Sequence, residues 1–355
     1  VLEQEAKAAE EVGIRAYYTT ETELPFQVAG AVKFENQARF HPLAFLKAIA
    51  ENLEIYENTR AESVEENQIF TKRGTVTADH IVFATHYPFI NAPGYYFARM
   101  HQERSYVLAL ENAGDMKGMY LGVDTDALSF RSWNGTLLLG GGGHRTGENS
   151  AGGKYTFLRD KAFHFYPKAK EAYHWSAQDC MTLDGVPCIG QFSASTPNWY
   201  VATGFQKWGM TTSMVAATLI SDAITETDNS CASVFSPLRF TPSASAKTFV
   251  ADMGQAVKGL TKKLFSLPKE KVDELPAGHG GVVEYNDEKV GVYKDENQNL
   301  HIVSIQCPHL GCQLEWNPDE KSWDCPCHGS RFDYEGRILD NPAQTNLEKV
   351  EQGEE

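Results

Sequence analysis

The residues that most constrain this chain lie between Cys307 and Ser330. They read Cys307-Pro308-His309-Leu310-Gly311-Cys312, then a connecting stretch, then Cys325-Pro326-Cys327-His328-Gly329-Ser330. The arms Cys-x-His and Cys-x-x-His leave fifteen residues between His309 and Cys325. A fold that uses both arms must bring them to one point, because two thiolates and two imidazoles complete a ligand set for an inorganic centre. A structural zinc ion takes the same four donors. Zinc fingers usually pair their cysteines in one arm and their histidines in the other, whereas here each arm supplies one of each.

The order, the spacing and the extra Pro, Gly and Cys positions resemble the Rieske family of iron–sulfur proteins. That resemblance implies a [2Fe-2S] cluster with Cys307 and Cys325 on one iron and His309 and His328 on the other. Neutral imidazoles replace two anionic ligands, so such a centre accepts an electron more readily than an all-thiolate one, and its chemistry is one-electron transfer. The resemblance also implies a disulfide between Cys312 and Cys327, the positions bridged in one Rieske branch. Asn341-Pro342-Ala343 resembles the Pro loop that covers the cluster in this family. Respiratory members often carry Tyr two residues after the Ser that closes the second arm, and this chain has Ser330, Arg331 and Phe332. Hydrogen bonds to cluster sulfurs favour the reduced form, so the missing hydroxyl predicts a potential below that of the respiratory members.

With 355 residues the chain has room for two domains. A net charge of -15 argues against nucleic acid as a partner, since neutralising phosphates needs a basic patch. The apolar runs, such as Met214 to Ile220, are too short to span a bilayer. The chain opens at Val1 inside an amphipathic helix, Leu2 to Val12, which Gly13 ends. It reads as a fragment, so targeting is not assessable from it. Of the seven cysteines, Cys180, Cys188 and Cys231 are scattered, and they read as buried thiols in a reducing, cytoplasmic compartment.

Before the ligand arms, the pattern predicts a helix at Pro42 to Leu53 with proline in its first turn. Strands follow at Glu54 to Tyr56, Arg60 to Glu65, Gln68 to Thr71, Thr75 to Ala78 and Asp79 to His86. The middle of the chain reads as antiparallel strands: Arg104 to Leu110, Met119 to Val123, Leu128 to Trp133 and Thr136 to Leu139. Gly140 to Gly143 fail as a dinucleotide fingerprint, because Arg145 or Thr146 falls where a small residue is needed and no helix follows. They read instead as glycines that admit a neighbouring ligand or strand. Trp199 to Thr203 reads as a strand leading through Gly204 to Met210 into a helix that ends at Ile224, a turn suited to an electronegative ligand atom.

The order of these pieces, with the Thr-x-Asp-x-x-Pro-x-x-Gly run at Thr182 to Gly190, resembles the FAD-dependent family that includes D-amino-acid oxidase and glycine oxidase. The resemblance covers roughly residues 14 to 235. It implies that Thr85 and the loop Gly204, Phe205, Gln206, Lys207, Trp208, Gly209 and Met210 line the flavin, with Ala61 near its adenine half. The Gly-x-Gly-x-x-Gly half of such a domain does not occur in the sequence, so the intact protein is expected to use FAD and this chain alone to bind it poorly and be inactive. Many amino-acid-oxidising members carry a carboxylate-binding Arg shortly before the Thr-x-Asp run, where this chain has Gln178-Asp179-Cys180-Met181. Arg131, His144, Arg145 and Lys207 are the candidate substrate or flavin contacts.

The expected fold is α/β and α+β: a partial FAD domain with a mixed sheet and an antiparallel substrate-domain sheet (1–235), a linker and docking helix (236–266), a small all-β Rieske domain (267–350) and an acidic tail (351–355). The expected function is oxidation of a small amine, amino acid or similar reductant, with electrons passed singly through the cluster to an unidentified acceptor. The alternative is an electron-carrier module whose oxidase-like part is a scaffold. A ring-hydroxylating oxygenase is disfavoured, because those carry the Rieske domain first and need a second iron site of two His and a carboxylate.

Overall fold

The computed structural model describes residues 1–239, 254, 272–286 and 288–350. In chain order the early elements are α1 (Leu2–Glu11), β1 (Ala16–Thr19), β2 (Ala31–Phe34), α2 (Pro42–Ala50), β3 (Ala61–Glu65), β4 (Gln68–Thr71), β5 (Gly74–Thr77) and β6 (Ile81–Phe83). The middle holds β7 (Met100–Glu111), β8 (Met119–Leu121), β9 (Ser129–Trp133), β10 (Thr136–Arg145), α3 (Lys154–Phe165) and β11 (Lys170–Thr182). Then come β12 (Cys188–Ser193), β13 (Thr196–Thr203), α4 (Gly209–Ile224) and α5 (Ala232–Phe235). The last stretch is all strand: β14 (His279–Tyr285), β15 (Glu288–Lys294), β16 (Leu300–Ser304), β17 (Glu315–Asn317), β18 (Ser322–Asp324), β19 (Arg331–Asp333) and β20 (Ile338–Asp340).

One compact unit comprises Val1–Glu57, Tyr106–Gly142 and Tyr155–Trp175. Its strands β8, β9 and β10 are antiparallel neighbours, and alternate side chains such as Leu137 and Leu139 point into a core with Leu108, Phe130, Tyr155 and Leu158. In α1, the Gly13 and Ile14 amides donate to Glu10 and Ala9, which closes the helix end as a glycine C-cap does. His41 caps α2 by accepting from the Ala44 amide, and Pro42 occupies the first turn. None of the residues of α2 is buried, and Leu43 stays 72% exposed.

The second unit comprises Asn58–Ser105, Gly143–Lys154 and Ser176–Glu355. Strand β6 pairs parallel with β13, which pairs antiparallel with β12, and α4 packs on this sheet through Ala216, Leu219 and Ile220. The other side of the sheet buries Phe83, Phe192, Trp199 and Tyr96 with Val64 from β3. Two antiparallel sheets, β14-β15-β16 and β17-β18-β19-β20, form the C-terminal part. Trp323, Phe332 and Leu314 are fully buried there, each worth about 1.5–3 kcal/mol of transfer free energy by the usual area scaling.

Several expectations change. Glu54 to Tyr56 forms no strand, and α2 ends at Ala50 instead of Leu53. Gly140 to Gly143 continue strand β10 as far as Arg145. Gly140 faces Ser129 and Gly141 faces Leu128 and Leu158, so the missing side chains make room for packing. Helix α3 had no counterpart in the sequence reading, because its apolar residues Tyr155, Leu158 and Ala162 are spread among charges. Cys180 and Cys188 are buried, but Cys231 is exposed at the start of α5. Of the expected linker and docking helix (236–266) only 236–239 and Gly254 are described, and the tail 351–355 lies outside the described residues.

Candidate functional site

The two ligand arms are a pair of matching turns. The Cys307 amide donates to Cys312 O (2.9 Å) and the Gly311 amide to Cys307 O (2.9 Å). The Cys325 amide donates to Ser330 O (2.8 Å) and the Gly329 amide to Cys325 O (3.0 Å). Gly311 and Gly329 take φ of 77° and 80°, the left-handed region that favours glycine, so Cys-Pro-x-x-Gly encodes the same turn twice. The first arm joins β16 to β17 and the second joins β18 to β19. A disulfide between Cys312 and Cys327 ties the arms together. Sulfurs of Cys312, Cys325 and Cys327 lie within 4.8 Å of one another, but the disulfide consumes two of them and removes a three-thiolate metal site.

Cys307 and Cys325 remain as free, buried thiols. They share a hydrogen bond, which holds the Cys307 thiol below its usual range and Cys325 above it. Backbone amides of His309 and Leu310 and the Ser330 hydroxyl also point at the Cys307 sulfur, while amides of Cys327 and His328 point at Cys325. Such a nest of donors stabilises ionised sulfur. The rings of His309 and His328 stand edge to face with centroids 5.0 Å apart. Nδ1 of His309 is buried with no hydrogen-bond partner, and burial pulls that imidazole down to about 4. A neutral ring with an orphaned nitrogen, beside thiols wrapped in donors, fits a metal centre of mixed ligands. Phe332 is fully buried where the respiratory members often have Tyr.

Residues of the preceding part of the unit hold these arms. Gln178 Nε2 donates to Gly329 O (2.8 Å) and to Gln102 Oε1 (2.7 Å), and Gln102 Nε2 donates to His328 O (2.7 Å). Arg145 donates to Pro326 O (3.1 Å) and Cys327 O (3.3 Å). Arg104 is 2% exposed and lies 3.2 Å from Glu320, which Arg331 approaches at 3.5 Å. His309 Nε2 lies 2.6 Å from Asn91 Oδ1, and Phe97 stands edge to face with His328.

The flavin candidates divide. Thr85 follows β6 and Gly204 follows β13, and because these strands are parallel neighbours both residues lie at the same sheet end, where α/β sheets receive cofactors. The loop from Phe205 to Met210 runs into α4; Trp208 is 60% exposed and Gly209 is open to its surroundings. An electropositive helix start beside open backbone fits the electron-rich edge of a flavin ring. Lys207 donates to Ser105 Oγ (3.2 Å) and approaches Glu103 (3.9 Å). Ala61 opens β3 in a separate meander, and Arg131 lies on β9 in the other unit. His144 Nδ1 lies 2.7 Å from Arg145 O, and burial lowers its pKa. Asp184 of the Thr-x-Asp run makes a bidentate pair with Arg239 (2.7 and 2.8 Å), a structural role.

Asn91, Gln102, Arg104 and Arg239 were invisible to sequence reasoning. In these contacts their partners lie 51 to 226 residues away, so no local spacing marks them.

Residues 2–223 match the FAD dependent oxidoreductase family, and residues 266–351 match the Rieske [2Fe-2S] domain. The chain is 36% identical to YhfW of Bacillus subtilis (strain 168), whose name groups it with Rieske 2Fe-2S iron-sulfur proteins; the alignment covers 98% of this chain and 71% of that one. The cytochrome b6-f complex iron-sulfur subunit of Chlorobaculum tepidum is 33% identical over 84 residues, which is 22% of this chain and 46% of that protein. Glycine oxidase from Geobacillus kaustophilus superposes with a TM-score of 0.53 at 17% identity, covering 68% of this chain and 71% of that one, a likeness of fold. The chain belongs to the FAD dependent oxidoreductase family, joined to a C-terminal Rieske [2Fe-2S] domain.

Proposed function

We propose that Cys307, Cys325, His309 and His328 hold the [2Fe-2S] cluster, and that it exchanges single electrons with FAD at the ends of β6 and β13. FAD supplies two-electron chemistry towards a small substrate and the cluster supplies one-electron transfer to an acceptor. The observation that carries this reading is the contact of Asn341, on the loop after β20, with the carbonyls of Thr85 (3.2 Å) and Tyr87 (2.8 Å). That loop also folds back on the second arm, where the Ala343 amide donates to Ser330 Oγ (3.0 Å). One short chain of contacts thus runs from the sulfur-facing Ser330 to the residue expected beside the flavin.

The substrate is a small reduced molecule, with an amine as well supported as an amino acid. Gln178 stands near the position of the family's carboxylate-binding Arg, and its amide is spent on Gln102 and Gly329. The acceptor is a one-electron carrier. Free thiols at Cys180, Cys188 and Cys231 support a reducing compartment, and no described helix is long and apolar enough to cross a membrane.

A second reading, a carrier with a scaffold in place of an oxidase, is favoured by one observation. Gln102, Gln178, Arg104 and Arg145 all turn their polar groups to the Rieske part. Spectra of the full-length protein separate the two. Stoichiometric FAD that bleaches with a panel of amines and amino acids supports the oxidase, and cluster without FAD supports the carrier.

A further inference from the structure

The flavin-side part of the second unit meets the His309 imidazole through a side-chain hydrogen bond. Asn91 is half-buried, and its carbonyl accepts from the Tyr95 amide (3.1 Å), which fixes its backbone. Its Oδ1 lies 2.6 Å from Nε2 of His309, while Nδ1 on the far edge of that ring is buried and has no partner. An imidazole that gives Nδ1 to a metal carries its proton on Nε2, so the ring donates and Asn91 accepts. Asn91 therefore selects the tautomer that leaves Nδ1 available, from more than two hundred residues away in sequence.

We propose that Asn91 is a positioning residue for His309 and that its hydrogen bond tunes the reduction potential of the centre. This rests on His309 being an iron ligand. An acceptor on the remote nitrogen makes the ring a stronger donor to its metal, which favours the oxidised state, and a carboxylate does so more than an amide. The coupling runs both ways. If the contact favours the oxidised centre, the oxidised centre holds the contact more tightly, and adding one electron loosens it.

The test is a redox titration of the full chain loaded with cluster, followed by electron paramagnetic resonance, for the wild type, Asn91→Asp, Asn91→Leu and Arg60→Ala. Arg60 donates to Gln344 (3.0 Å) across the same pair of segments without touching an imidazole, so its variant reports general loosening. The expected order of potentials is Asp below Asn below Leu, with Arg60→Ala equal to the wild type. Asn91→Asp keeps the shape of the side chain and carries the test alone if the leucine variant does not fold. Equal potentials for wild type and Asn91→Asp overturn the proposal, as does a shift in Arg60→Ala as large as that in Asn91→Leu. A wild-type chain without the reduced-centre signal overturns the ligand assignment instead.

Discussion

Asn341 donates its single amide group to two carbonyls, Tyr87 O at 2.8 Å and Thr85 O at 3.2 Å, and so fastens the loop after β20 to the end of β6. Each such bond contributes about 1 kcal/mol net. Asn341→Ala is expected to reduce the docked population by about tenfold or more and to slow cluster reduction after photoreduction of the flavin by a similar factor. Rapid-mixing or flash spectroscopy reads it, and an unchanged rate with intact cluster would contradict it.

The potential depends on groups facing the sulfurs. The Ser330 hydroxyl points at Cys307, whereas Phe332 has none to offer. Ser330→Ala is expected to lower the potential and Phe332→Tyr to raise it, with the wild type below the respiratory Rieske proteins. A titration that gives the wild type an equal or higher value than those proteins would refute the account of Phe332.

Cys312 and Cys327 close a loop with a sequence separation of 15. A link of that length removes about 3 kcal/mol of chain entropy from the unfolded state. The double variant Cys312→Ser, Cys327→Ser is expected to lose iron to a chelator faster by about a hundredfold if release requires local unfolding. Release at the wild-type rate would show that the arms hold without the bond.

Asp184 and Arg239 are each 9% exposed and pair through two hydrogen bonds. Removing one partner leaves a buried charge, so Arg239→Met is expected to cost about 3–5 kcal/mol. Adding Asp184→Asn should recover part of that loss. Thermal unfolding of the single and double variants measures both, and additive losses would contradict the pairing.

The ligand arms were legible because Cys-Pro-x-x-Gly sets a turn within five residues, and the structure repeats that turn at Cys307 and Cys325. Helix α4 and strand β13 were legible for the same reason: apolar spacing and a glycine-rich junction are local signals. Strand β10 runs past the expected end at Leu139 to Arg145, because at Gly140 and Gly141 the missing side chains make room for Ser129, Leu128 and Leu158, contacts that no local pattern marks. Helix α3 was missed although Tyr155, Leu158 and Ala162 share one face, because apolar residues off that face, such as the 74% exposed Phe163, blur the pattern. The grip of Asn91, Gln102, Gln178 and Arg145 on the cluster arms was not legible at all. Those contacts depend on how distant segments meet, and Gln178 was noticed only as a missing arginine.

The central claim is that two thiolates and two imidazoles hold a pair of bridged irons. The most direct measurement is metal and acid-labile sulfide content of protein purified without air, with paramagnetic resonance after reduction. The account predicts two irons and two sulfides per chain and the signal of a reduced centre with mixed ligands. Zinc in place of iron, with no labile sulfide and no signal, would contradict it.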